Sequence, residues 1–279
     1  MATKKAASTA KKAPAKKKPT TTKKTTVTTV KAVESKPAAA KKPVAKTMKI
    51  TNTPLLAAII AEFIGTFLFA AIVVAGQGQP LVALFGLAGV VLTVGAISGA
   101  YVNPALVIGS WVTKRISGIR ALGYIIAQIL GAMLALVVLN AFANTAPAAT
   151  DAAAMFSQAP ALFSAAAIPE GKAWVLFATE LIGTMIFGFA VASALSEKKE
   201  RTAAALTVGL GIFIALMIAG SAAVYVGGSA ILNPAVAIAL QAINFATVWP
   251  TVVYILGSTL GAILGFGLYS YLQAANKEA

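Results

Sequence analysis

A chain of 279 residues that is 58% hydrophobic, with a mean hydropathy of +0.84, is too apolar for one soluble domain and has the composition of a protein that crosses a membrane many times. Its net charge of +15 is lopsided, because residues 1–50 hold 15 Lys against one Glu whereas residues 51–279 hold 8 Lys or Arg against 7 Asp or Glu. With no Cys and no His, disulfide frameworks, the commonest zinc ligands and the Ser-His or Cys-His pairs of nucleophilic catalysis are excluded, so no enzyme chemistry, metal or other cofactor is expected.

Residues 1–53 form a tail. Through residue 47 it is mostly Ala, Lys, Thr and Pro, without aromatics, and cannot bury enough apolar surface to offset its ordering entropy, so disorder is predicted. No apolar stretch follows its first charges for more than forty residues, which argues against a secretory signal. The composition is similar to the Lys/Ala/Pro-rich tails of linker histones. Contact of residues 1–47 with anionic lipid, at about 1 kcal/mol per Lys near the surface, or with nucleic acid by counterion release, stands beside a solvated, unstructured extension that mainly sets topology. Met48 reads as a second start codon.

The first apolar span runs from about Pro54 to Ala75 and contains Glu62; the short turn Gly76–Pro80 leads into a second over Leu81 to Ile97. Next, Ser98-Gly99-Ala100 leads to Asn103-Pro104-Ala105, which opens a run ending at Thr113-Lys114-Arg115. Asn is a favoured N-cap and Pro is tolerated in a first turn, so a helix is predicted to start here. At about 1.5 Å per residue, Ala105 to Val112 reaches only about halfway through a core of about 30 Å and must return on the side it entered. Irregular backbone at that depth is tolerated where it is buried in protein or lines a wet cavity. A third span covers Gly118 to Ala141, and residues 142–172 form an Ala/Pro-rich connection. The fourth span starts near Ala173 and contains Glu180, the fifth covers Ala203 to Ala223, a second short helix runs from Asn233-Pro234-Ala235 to about Gln241, and the sixth covers Thr247 to Gln273.

The halves repeat, 54–141 against 173–273. Tyr124 and Tyr254, Gly131 and Gly261, and Asn103 and Asn233 are each 130 positions apart, and Glu62 and Glu180 are 118 apart. Three spans per repeat is odd, so the second copy enters the membrane inverted. The predicted fold class is all-α transmembrane: six membrane-spanning helices plus two half-spanning re-entrant helices in two inverted repeats, with 274–279 a short C-terminal tail. The Lys-rich tail, Lys114/Arg115/Arg120 and Lys198/Lys199/Arg201 fall on one side, which places both termini in the cytoplasm of a multi-pass cell-membrane protein.

By symmetry the two half-helices meet N-terminus to N-terminus at the midplane, each with unsatisfied N–H groups and about half a positive charge. Asn103 and Asn233 cap them with the amide oxygen and turn NH₂ donors toward a central path. Oxygen acceptors are stabilised there and cations and protons repelled, so a passive channel for neutral molecules is the first reading.

These motifs, with Ala61-Glu62-Phe63-Ile64-Gly65-Thr66 and Tyr124-x-x-Ala127-Gln128-x-x-Gly131-Ala132, resemble the aquaporin/glycerol-facilitator family over about residues 54–273. The resemblance implies a channel for water or small uncharged solutes such as glycerol, urea, ammonia or dissolved gases, one pore per protomer and a homotetramer. It also implies that Glu62 and Glu180 accept hydrogen bonds from the loops entering the half-helices; the competing reading makes them proton-coupling acids of a secondary transporter. The sequence departs from the family just after the second triplet, where most members carry Arg and this chain has Val236, and it lacks the His of water-selective members. By family spacing the selectivity filter falls on Ala83 or Phe85, Ser221, Ala230 and Val236, and the solute stays open. A membrane-anchored polybasic tether is the reading from another class.

Overall fold

The computed structural model describes residues 53–145, 162–197 and 199–278; the predicted tail over 1–52 and the middle of the 142–172 connection lie outside them. Every regular element among the described residues is helical. Helix α1 (Thr53–Ala75) is followed by α2 (Pro80–Ser98), which has Pro in its first turn and ends at Gly99 with φ 96°, whose N–H returns to the Gly95 carbonyl. The short α3 (Pro104–Val112) follows, then α4 (Gly118–Asn144), capped by the Ser117 hydroxyl. The second repeat supplies α5 (Ala173–Ala194), α6 (Arg201–Tyr225) and the short α7 (Pro234–Ala239). Its last span is continuous but mixed, with α8 (Trp249–Thr251), a π-helical stretch over Val252–Gly257 and α9 (Ser258–Glu278). Among the described residues, six segments are long and apolar enough to cross a membrane.

The two short helices are half-spanning. At about 1.5 Å per residue, the nine residues of α3 extend about 14 Å and the six of α7 about 9 Å. The second stops two residues short of the predicted Gln241 because Gln241 takes φ 56° and the Ala242 N–H closes back on the Ala237 carbonyl. Lys114, with φ 61°, ends α3 in the same way, with Arg115 N–H bonded to the Ser110 carbonyl.

Packing repeats as the sequence does. Helix α1 lies along α4, and α5 along α9. Gly131 and Gly261 make these pairs close: a Cβ on Gly131 would stand 2.5 Å from the Phe63 carbonyl oxygen, and one on Gly261 would strike the equivalent Leu181 oxygen. The half-helices cross over, with α3 packed on α9 and α7 reaching α4, so each repeat holds the other's short helix. Helix α2 meets α6 along the remaining seam.

Candidate functional site

The polypeptide approaching each half-helix is strained and then tied down. Ala100, Val102 and Leu232 all lie in the left-handed region, at φ 50°, 43° and 60°; for the β-branched Val102 this is a rare conformation that surrounding bonds must enforce. The buried acids supply those bonds. Glu62 accepts from Tyr101 N–H at 3.0 Å, Val102 N–H at 2.8 Å and the Gln128 amide at 2.7 Å. Glu180 accepts from Ile231 N–H at 2.5 Å and Leu232 N–H at 2.9 Å. Both carboxylates are fully buried. Their position in equivalent turns of α1 and α5 makes them loop anchors, since carboxylates taking two or three N–H bonds satisfy polar groups that water cannot reach.

Tyrosines fix the same loops from the other flank. Tyr124 on α4 donates its hydroxyl to the Ser98 carbonyl at 2.8 Å and receives Arg120 at 3.1 Å, and Tyr101 shares a 2.8 Å hydrogen bond with Ser110. Tyr254, in the π-helical stretch, reaches the Ser229 carbonyl only at 3.4 Å. The second loop is therefore held less closely than the first.

With the loops held, Asn103 and Asn233 come together. Asn103 Oδ1 accepts from Ala105 N–H at 2.9 Å and caps α3, while its Nδ2 donates to the Leu232 carbonyl at 2.8 Å. Asn233 mirrors it: Oδ1 accepts from Ala235 N–H at 3.0 Å, and Nδ2 donates to the Val102 carbonyl at 2.9 Å. Pro104, Ala105, Pro234 and Ala235 are buried in the first turns behind them. The reciprocal bonds between each asparagine and the opposite loop are a feature that motif reading does not contain, because they join residues 129 and 131 positions apart.

Beyond the second triplet lies a chamber of about 510 Å³. Ala83, Ser221, Ala230 and Val236, four of the five filter candidates, are on its wall. Phe85 is not: it is 65% exposed on the outer surface of α2, because two helical positions differ by about 200° and only one of Ala83 and Phe85 faces inward. The structure adds Phe163 and Ala165, from the connection before α5. That strand of chain is pinned by Ala165 N–H to the Leu240 carbonyl at 2.9 Å and by Ala166 N–H to Ser229 Oγ at 3.0 Å. Leu162-Phe163 is an apolar pair in an Ala-rich connection, and that was its one signal in the sequence. No group of three His, Cys, Asp or Glu able to hold a metal occurs among the described residues.

Comparison with known proteins adds a family and a fold. Residues 49–269 match the family model described as major intrinsic protein. The chain is 31% identical over 220 residues to glycerol uptake facilitator protein-like 6 of Lactiplantibacillus plantarum, covering 74% of this chain and 93% of that one. It is 32% identical over 231 residues to the lens fiber major intrinsic protein of Ovis aries, covering 77% and 80%, and 29% identical over 248 residues to aquaporin PIP2-7 of Arabidopsis thaliana, covering 78% and 81%. Among solved structures, the aquaglyceroporin from Plasmodium falciparum superposes with a TM-score of 0.62 at 18% identity, over 80% of this chain and 99% of that one.

Proposed function

The chain belongs to the major intrinsic protein family and is a passive transmembrane channel for water and small solutes; we propose that Asn103 and Asn233 are its central donors and that the chamber beside Val236 sets which solutes pass. The observation carrying this reading is the reciprocal bonding of the two asparagines. Each side-chain NH₂ has two protons, and the bond to the opposite carbonyl uses one. The second proton of each faces the path and takes the oxygen of a passing molecule. A cation arriving there meets the positive ends of α3 and α7 from both sides and finds no carboxylate to compensate it, since Glu62 and Glu180 are turned to the loops.

The same geometry favours the channel over coupled transport. A proton-coupling acid must exchange with water, whereas both glutamates are sealed and already hydrogen bonded. Both termini lie in the cytoplasm in this proposal, four pores assemble as a homotetramer, and the 54–273 region forms the channel with the Lys-rich 1–53 region appended. Solute identity at the level of water, glycerol, urea or ammonia follows from the chamber and not from the asparagines.

Purified protein in proteoliposomes tests the reading by stopped-flow light scattering. Water and at least one small neutral solute are expected to equilibrate faster than in empty vesicles, with no accumulation driven by a pH gradient and no monovalent-cation current. Rates equal to those of empty vesicles for water and every solute tried would overturn it.

A further inference from the structure

The outer chamber is large, and among the described residues its wall carries no charged side chain. About 510 Å³ is the volume of a small-molecule site and exceeds what a single file of water needs. The side-chain donors on that wall are few, and one of them is already engaged: Ser221 gives its hydroxyl to the Met217 carbonyl at 2.6 Å. Ser229 Oγ takes the Ala166 N–H, which leaves its own proton, and the Tyr225 phenol stands 90% exposed at the rim. Where a fixed guanidinium would supply several donors, Val236 presents methyl groups. Phe69, Leu216 and Phe163 complete an apolar surface.

Phe163 is the distinctive part of this wall. It arrives from outside the helical bundle on the pinned strand before α5, and its ring packs against the turn between α1 and α2, where a Cβ on Gly78 would stand 2.8 Å from it. The left-handed Gly78, at φ 65°, admits the ring at that spot. An aromatic face is thereby set over the chamber by a connection and not by a span.

We propose that this chamber selects neutral mono- and dihydroxy solutes with an apolar face over polyols of the same carbon number, with Phe163 as its specificity-determining wall. The inference rests on the channel reading above. A polyol entering gives up several bonds to water, and this wall offers few donors or charges in exchange, whereas the hydrocarbon side of a diol lies against Val236, Leu216 and the Phe163 ring. Hydroxyl count therefore outweighs molecular size in setting passage.

The test is a permeability series on the full chain in proteoliposomes, with empty-vesicle rates subtracted: 1,2-butanediol, 1,2,4-butanetriol and erythritol at constant carbon number, and 1,2-propanediol against 1,2-hexanediol at constant hydroxyl number. Protein-mediated flux should fall with each added hydroxyl, by about tenfold or more from diol to tetrol. Val236→Arg, which supplies donors, should lower that ratio, and Phe163→Ala should raise hexanediol relative to propanediol, with Phe163→Leu restoring the wild-type ratio. A flux independent of hydroxyl count, or rising with it, overturns the proposal while leaving the channel intact. An unchanged size ratio in Phe163→Ala overturns the role of Phe163, because a loop support alone would lower all fluxes together. If water and all five solutes match empty vesicles, the channel reading fails with it.

Discussion

Glu62 shows how one side chain can fix a backbone that its own sequence resists. Val102 at φ 43° is held by the buried carboxylate, whose two oxygens are occupied by the loop's N–H groups and by Gln128, and through its own carbonyl by Asn233. Replacing the acid with its amide keeps the volume but turns an NH₂ toward at least one N–H that needs an acceptor. Hydrogen bonds to a charged group contribute about 1.5–3 kcal/mol each, and an unsatisfied buried donor costs a similar amount. Glu62→Gln should therefore lose about 3 kcal/mol of stability, read as a lower unfolding midpoint in detergent, and should also lower solute flux because the start of α3 moves. A variant with wild-type stability and flux would mean that the loop holds its shape without the carboxylate. Glu180 has no equivalent of Gln128 beside it: the position 130 residues on from Gln128 is Ser258, whose hydroxyl bonds the Tyr254 carbonyl. The two loops are thus anchored by the same acid but not by the same number of partners.

Between helices, backbone approach replaces the hydrophobic contrast that drives association in water. Gly131 lets α4 lie against the Phe63 carbonyl and the Phe67 N–H, and neither backbone atom can turn aside for a methyl group. Gly131→Ala should separate α1 from α4 and cost about 1–3 kcal/mol, whereas Gly267→Ala, with nothing within 4 Å of its added carbon, should be neutral or gain up to about 1 kcal/mol from helix propensity. Unfolding midpoints of the two variants compare them directly, and equal midpoints would show that this seam has slack. The elements themselves were legible from the chain, because Asn-Pro starts, Gly stops and apolar runs of membrane length are local signals: α1 to α6 begin within two residues of their expected positions. The end of α7 was less so, since Gln241 adopts a left-handed turn that favours glycine. Which half-helix packs on which span, and which of Ala83 and Phe85 faces inward, depend on contacts more than a hundred residues apart or on helix rotation, neither of which periodicity in an all-apolar span encodes.

At the scale of the molecule the chain joins an almost neutral helical body to a strongly basic beginning. The matched family region starts at residue 49 and the first helix at Thr53, so residues 1–47 precede both. Those residues hold 14 Lys and one Glu, which makes them an electrostatic element whatever their partner. Their removal also leaves the orientation signal in place, because Lys114, Arg115 and Arg120 on one connection and Lys198, Lys199 and Arg201 on another stay on the proposed cytoplasmic side. Deleting residues 1–47 should accordingly preserve both the orientation, read by protease access to a tag on residue 279, and the solute flux per protein in proteoliposomes. It should abolish salt-sensitive binding of the protein to vesicles rich in anionic lipid, since counterion release and surface potential both scale with the Lys removed. Loss of flux on deletion would tie the tail to the pore, and binding that persists or ignores salt would place the affinity in the helical body, where the remaining positive and negative charges nearly cancel.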